Sequence, residues 1–334
     1  MPERPKGDFQ PLKDCRRIHD TIEPEHSPVI TFEVRTAAQR REVAIELLAE
    51  LEEEPQHLPF EIGIRDNPEE VGRRIRQLLG INAKKQHQWN DTNEALNTWR
   101  AAAEGAGILV FQTSKLPLSV LRGFSISQFP LPVVVLNTKD SESARIFTLA
   151  HELAHILLHQ GAICDIYEEF ERHPKEQAIE VFCNHVAGAT LVPRARLVEA
   201  YERLKRTGRA TSLDEYAANL ARLFRVSREV ILRRCLTFGF IKEATYAKKR
   251  EELLKEYEQL RKRKKASGKP VIVPLSRRVL SNAGLPFVNI VLSSYYQERI
   301  TSSDVSTFLE AKLKHLPRIE SEATAKSVKY GAPR

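Results

Sequence analysis

His151-Glu152-Leu153-Ala154-His155 forms an H-E-x-x-H pattern inside one of the most apolar stretches of the chain. On an α-helix, residues four positions apart share a face, so both imidazoles point towards the same place. Two neutral histidines on one face supply half of a tetrahedral zinc site, and Glu152 lies beside them as a candidate general base. The alternative is an ordinary amphipathic helix, but these polar side chains are costly in an apolar helix without a partner. The pattern therefore predicts a metal site.

A third ligand is expected downstream, because a catalytic zinc site takes three protein ligands and keeps a fourth position open. A second helix is predicted from Lys175 to about Leu191, and it places Glu180 and Asn184 one turn apart on one face. Small and apolar residues share that face, which indicates that it is buried. A buried glutamate is usually paired or bound to a metal, so Glu180 is a candidate ligand.

The stretch from Ala144 to Pro193 resembles the ImmA/IrrE family of metallopeptidases. The resemblance rests on Phe147-Thr148-Leu149-Ala150 before the histidine motif, and on an E-x-x-x-N helix that closes on Leu191-Val192-Pro193. It implies that Glu180 is the third zinc ligand. Two helical histidines and one buried carboxylate then predict one zinc ion per chain.

The chain departs from the family pattern at Cys183 and Val186, where alanine and phenylalanine are frequent. A weaker resemblance extends from about Asp66 to around Leu309 and is similar to the long members of the family. Many of those carry an amino-terminal helix-turn-helix, and the first sixty residues show no such pattern.

Several other polar residues are candidates for the surroundings of the metal. Cys164, nine residues after His155, could fold back as a fourth ligand and block the water position, or it could be a buried structural cysteine. Asn184 and Asp165 are candidate partners for the second ring nitrogens of zinc-bound histidines. His159 is interpreted as an outer or exposed residue rather than a ligand.

Composition favours a protein of a reducing compartment, the cytoplasm. The four cysteines are far apart and form no C-x-x-C pair. No apolar run approaches the roughly 20 residues that cross a bilayer, so no membrane association is expected. The net charge of +8 is compatible with an anionic partner without requiring one. The sequence indicates no particular oligomeric state.

The predicted fold class is α+β and mainly helical, with a small zincin-like sheet packed on the H-E-x-x-H helix, a helix-turn-helix and a C-terminal helical unit. Strands are predicted over Ile108–Gln112, Val120–Ser127 and Pro132–Asn137. The segment Val133-Val134-Val135 is expected near the sheet edge where an extended peptide would pair. The predicted divisions are an N-terminal arm and helix (1–65), a metallopeptidase domain (66–200), a helix-turn-helix-like region (201–241), a charged helix and linker (242–270), a C-terminal helical domain (271–317) and a tail (318–334).

The segment from Ser212 to Phe240 predicts two short helices that meet near Arg225, with Ser227 capping the second. This helix-turn-helix could bind DNA, or it could be a docking module or a structural bundle. The DNA hypothesis uses three arginines of the second helix, Arg228, Arg233 and Arg234.

The sequence is interpreted as a zinc-dependent endopeptidase in which Glu152 is the general base. The resemblance implies that the substrate is a helix-turn-helix repressor, whose cleavage would switch on genes for stress, mobile-element or phage responses. Single-stranded DNA is a hypothetical effector, bound at the basic surface from Arg233 to Lys265. The alternative function is a nucleic-acid-sensing regulatory module with a structural or autoinhibited zinc site. A hydrolase acting on something other than protein is a third possibility.

Overall fold

The computed structural model describes residues 28–159, 163–164, 174–267 and 273–331. Helices dominate this part of the chain and surround one small sheet. The elements before the histidine motif are α1 (Pro28–Glu50), α2 (Pro68–Leu78), α3 (Ala83–His87), α4 (Thr92–Gly105), β1 (Leu109–Thr113), β2 (Gly123–Ile126) and β3 (Val133–Asn137). From the motif onwards they are α5 (Glu142–Leu157), β4 (Ile163–Cys164), α6 (Pro174–Leu191), α7 (Arg194–Arg206), α8 (Leu213–Phe224), α9 (Arg228–Thr237), α10 (Glu243–Ser267), α11 (Leu275–Ala283), α12 (Leu285–Tyr296), α13 (Ser302–Phe308) and α14 (Leu316–Tyr330).

The sheet has the strand order β1-β3-β2-β4. Strands β1 and β3 are parallel, whereas β2 is antiparallel to both β3 and β4. Every residue of the first three strands is buried, because helices cover both faces of the sheet. The predicted fold class, a mainly helical α+β protein with a small sheet against the H-E-x-x-H helix, is confirmed.

Two hydrophobic cores lie on the two faces of the sheet. Alternate strand residues point to opposite faces, so Val134 and Leu136 join the core that contains α5, while Val133 and Val135 join the other. The first core also takes residues from α2, α4, α6, α8 and α9. The second is built from α1 and the C-terminal helices α11 to α14. The N-terminal and C-terminal helices thus pack on the same face of the sheet.

Helix α5 runs through the first core, and its sequence explains why. The Ser141 hydroxyl accepts a hydrogen bond from the amide of Ala144 at 3.3 Å, which caps the helix start. Residues 146–157 are all buried, as expected for a helix that is apolar on most sides. Helix α6 packs beside α5 and also beside α2, where Gly72 makes a close approach possible. A Cβ at that glycine would lie 2.7 Å from the Cβ of Ala189.

Several expectations for the sheet and the termini are wrong. The segment Val133–Val135 is not at an edge, because β3 lies between β1 and β2. Residues beyond Pro317 are not a tail, because α14 continues to Tyr330 and buries Ile319 and Ala323. The charge-rich composition of that segment conceals a narrow apolar stripe. The predicted arm before Pro28 and the linker at 268–270 lie outside the described residues.

The predicted helix-turn-helix is present. Helices α8 and α9 meet at Arg225, whose φ of 56° is left-handed, and the Ser227 hydroxyl accepts from the amide of Val230 at 3.2 Å. Among the described residues, no helix is long and apolar enough to cross a bilayer.

The arginines of α9 form ion pairs within the protein. For Arg234 this contradicts the predicted contact with DNA. This residue is only 2% exposed, and its two terminal nitrogens donate to Glu69 at 2.6 and 2.8 Å. Arg233 lies 3.4 Å from Glu229, and Arg228 forms an ion pair with Glu256. Helix α9 is therefore largely a packing element rather than an exposed recognition helix.

The ion pair of Glu69 and Arg234 gives a testable pH dependence. Burial alone raises the pKa of Glu69, but hydrogen bonds with His185 and Arg234 lower it to about 2. Since the folded pKa lies below the ordinary value of 4.5, this stabilisation is present above pH 4.5 and is lost as the pH falls towards 2. We expect Glu69→Gln to lower the free energy of unfolding by about 2 kcal/mol at pH 7. This is the usual contribution of hydrogen bonds to charged groups.

Thermal or urea unfolding of both proteins from pH 7 to pH 2.5 measures this difference. The difference in unfolding free energy between wild type and Glu69→Gln should become smaller below pH 4.5. The control Glu46→Gln, at an exposed position, should have a stability close to wild type at every pH. A gap that stays constant at all these pH values would contradict the role of the Glu69 charge.

Candidate metal centre

Two helices bring His151, His155 and Glu180 together. The Nε2 atoms of the two histidines lie 3.1 Å apart, and the Glu180 carboxylate oxygens lie 3.3 Å from His151 Nε2 and 3.4 Å from His155 Nε2. Within the described ranges, this is the group of potential metal ligands whose donor atoms all lie within 4.8 Å of one another. The predicted ligands from α5 and α6 thus meet at one point.

The spacing of these three donors fits a tetrahedral metal ion. With ligand bonds of about 2.1 Å, neighbouring ligand atoms around tetrahedral zinc are roughly 3.4 Å apart. The three separations of 3.1, 3.3 and 3.4 Å match the edges of such a site. Two imidazoles and one carboxylate also form a donor set that zinc accepts. The residues therefore fit the kind of ion that the sequence predicts.

The three side chains are almost completely enclosed. Both histidines are 0% exposed and Glu180 is 1% exposed. Burial by itself raises the pKa of Glu180, but hydrogen bonds to His151 and His155 outweigh it and hold that pKa well below its usual range. Glu180 is thus an ionised carboxylate inside the protein, as expected for a group that faces a cation. The Nδ1 atom of His151 is also buried and has no hydrogen-bond partner in the described part of the chain.

Glu152 is equally buried but lies on a different side of α5. Neighbouring residues of a helix are rotated by about 100°, so Glu152 faces the sheet whereas the histidines face α6. Its Oε2 accepts a hydrogen bond of 2.7 Å from the hydroxyl of Ser125 on β2. Sequence reasoning missed Ser125, although the small residues Gly123 and Ser125 alternate with Phe124 and Ile126 and so indicate a face of β2 in close contact with a neighbour.

Cys183 is a second residue that sequence reasoning did not place at the site. It is fully buried on α6, three residues after Glu180, and carries a free thiol. Burial raises the pKa of this thiol, while its hydrogen bond with His155 lowers it. The sequence offered only one signal, the departure from alanine at this position of the family pattern.

The remaining candidates fall into three groups. Asn184 is 4% exposed, and its Oδ1 has no hydrogen-bond partner among the described residues, so its role beside the ligands stays a prediction. Cys164 contributes its backbone to β4, opposite Gly123, but its side chain lies outside the described residues. Asp165 lies outside them entirely. His159 follows the end of α5, half-exposed, and pairs with Glu61 at 3.0 Å, which agrees with its interpretation as an outer residue.

The three donors form a possible metal site, and comparisons with known proteins indicate a metalloprotease-like domain around it. Residues 103–236 match the family model of the IrrE N-terminal-like domain, peptidase family M78. The chain is 38% identical over 80 residues to the radiation response metalloprotease IrrE of Deinococcus radiodurans, which covers 23% of this chain and 24% of the relative. It is 32% identical over 123 residues to the protein of the same name from Deinococcus deserti, covering 33% of this chain and 43% of the relative.

The matched segments span less than half the length of either relative. The segment that matches the family model, residues 103–236, contains both helices of the candidate metal centre, α5 and α6. Residues 103–236 thus form an IrrE N-terminal-like domain of peptidase family M78, and the resemblance to the ImmA/IrrE metallopeptidases that the sequence indicated is confirmed.

We expect the wild-type protein to retain about one metal ion per chain and Glu180→Ala to lose it. Removing the carboxylate leaves two histidines, which is too few ligands for a stable tetrahedral site. Elemental analysis after dialysis measures the metal content. Glu202→Ala, an exposed glutamate on α7, is the control. Full metal retention in Glu180→Ala would remove Glu180 from the ligand set.

Proposed function

We propose that this chain is a zinc-dependent endopeptidase of the cytoplasm. One observation carries the proposal: His151, His155 and Glu180 converge at tetrahedral spacing beside Glu152, inside a domain of a metalloprotease family. Glu152 is adjacent to His151 in the same buried helix, which supports its proposed role as the general base.

Each residue has a separate task in this proposal. His151, His155 and Glu180 hold the metal. A zinc ion held by them would supply Lewis acidity for the scissile carbonyl and for the attacking water. Glu152 accepts the proton of the attacking water and returns it to the departing amine. The apolar surroundings of α5 keep bulk water away, which strengthens these electrostatic interactions.

The substrate is proposed to lie along β2 rather than β3. Within the described residues, β2 pairs with β4 only at Gly123 and Phe124, whereas β3 has a neighbour on each side. An extended peptide could add to the remaining edge beside Ser125, which contacts Glu152. Because the ligands and Glu152 are almost fully buried, a polypeptide reaches them only after part of the structure moves.

The proposed substrate is a helix-turn-helix transcriptional repressor, as the family resemblance implies. The relatives are named radiation response metalloproteases, which supports a role in switching on genes under stress. A role in controlling mobile-element or anti-phage genes is proposed from the family resemblance alone.

The alternative, a nucleic-acid-sensing module with a structural zinc site, is less well supported. The buried Arg234 and the paired Arg228 and Arg233 give α9 little capacity to hold DNA. Single-stranded DNA as an effector would instead bind near the end of α10, where Lys262 and Arg263 are exposed. That binding would weaken steeply with salt.

Glu152→Gln is expected to keep the fold and the metal and to lose cleavage. The amide preserves the shape of the side chain but cannot accept the proton, so the rate should fall by about 10²–10⁴-fold. Mass spectrometry of a candidate repressor or a peptide library after incubation measures the loss.

Glu142→Gln, a partly exposed glutamate in the first turn of the same helix, is the matched control and should cleave normally. Cleavage at the wild-type rate by Glu152→Gln would rule out the proposed mechanism. A metal-loaded wild type that cleaves no protein would favour the structural site.

A further inference from the structure

Ser125 and Glu152 form a fully buried side-chain pair beside the metal centre. The hydroxyl of Ser125 donates to Glu152 Oε2 at 2.7 Å, and both residues are 0% exposed. They are 27 residues apart in the chain and belong to different elements, β2 and α5. Such a short hydrogen bond to a carboxylate is of the charge-assisted type, which is stronger and more directional than a neutral one.

The backbone of β2 is shaped to make this contact possible. Gly123 lies on the same face of β2 as Ser125, two residues earlier. A Cβ at Gly123 would lie 2.6 Å from the Cγ2 of Thr148, which is one helical turn before Glu152. The missing side chain thus lets α5 approach the strand. The hydroxyl of Ser125 can then reach Glu152, while Phe124 and Ile126 fill the opposite core.

A general base must present a defined oxygen to the water that it deprotonates. A glutamate has three side-chain torsions, and its carboxylate turns readily unless something holds it. The hydroxyl of Ser125 engages Oε2 from the sheet side. The metal ligands lie on the α6 side of the same helix, so a carboxylate fixed at Oε2 has a restricted orientation relative to them.

We propose that Ser125 is a positioning residue that holds the Glu152 carboxylate in its catalytic orientation. The proposal deepens the proposed peptidase function and rests on it. A purely structural role would differ in its consequences, because a hydroxyl that only satisfies a buried acceptor affects the stability of the fold rather than the chemical step. Kinetics, stability and the position of the carboxylate therefore have to be measured together.

The first experiment compares Ser125→Ala with Ser294→Ala in the metal-loaded full chain. Ser294 is also 0% exposed and loses a buried hydroxyl hydrogen bond, a neutral one of 2.9 Å to the carbonyl of Ile290, but it lies on α12 in the other core. We expect kcat to fall by roughly 10–100-fold in Ser125→Ala, the range for groups that orient residues around a metal. KM should change little and metal content should match the control, while Tm should fall somewhat further than in the control because the lost bond is charge-assisted.

Ser125→Thr keeps a hydroxyl donor and should recover most of the lost kcat. An alanine variant with wild-type kcat would overturn the proposal. So would a threonine variant as slow as alanine at an unchanged Tm, and so would a fall in kcat that Ser294→Ala reproduces.

A second measurement does not depend on activity. A crystal structure of the wild type should show a single orientation of the Glu152 carboxylate. A crystal structure of Ser125→Ala should show this carboxylate rotated, or in two alternate conformations. An identical single orientation in both would overturn the positioning role. If the wild type cleaves nothing, the proposed function fails and these structures alone decide the role of Ser125. If the wild type cleaves and Ser125→Ala matches it, only the role of Ser125 fails.

Discussion

The mutual contact of His151, His155 and Glu180 is the interaction on which the rest of the structure depends. Burying two imidazoles and a carboxylate in an apolar interior costs several kcal/mol per uncompensated ion, so the three groups are tolerable only where they face one another or a shared cation. That requirement fixes the register of α6 against α5. It also explains why α5 can be buried along most of its length and still carry two histidines.

Helix α5 separates two chemical tasks by the geometry of one turn. Its histidines point towards α6, where the third ligand is, while Glu152 points towards β2, where Ser125 is. A single helix thus presents the metal ligands to one neighbour and the base to another. The sheet thus contacts the proposed base, and α6 supplies the third candidate ligand.

Local periodicity was enough to predict that His151 and His155 share one helix face and that Glu180 lies on a buried face of a second helix. The spacing of His151 and His155 and the buried face of Glu180 follow from the repeat of one helix at a time. Ser125 could not be predicted in this way, because its contact with Glu152 depends on how a strand and a helix pack. Strand order could not be predicted from local pattern either. Three consecutive apolar strands do not show that β3 lies between β1 and β2. Helix α14 was predicted as a tail because its sequence is rich in charged residues and has only a few apolar residues on one face.

The helix-turn-helix shows most clearly how packing changes the meaning of a sequence pattern. Arg234 has the position of a base-reading residue in the pattern, yet it is buried against α6, where the Cβ of a residue at Gly188 would lie 3.0 Å from its Cδ. Its guanidinium also donates to the carbonyl of Val192 at 3.0 Å and to Glu69 on α2. Helix α9 therefore supports the same helix that carries Glu180. The two-helix motif is therefore part of the scaffold of the metal centre. A change that displaced α9 would also shift α6, and with it Glu180, which lies two turns before Gly188.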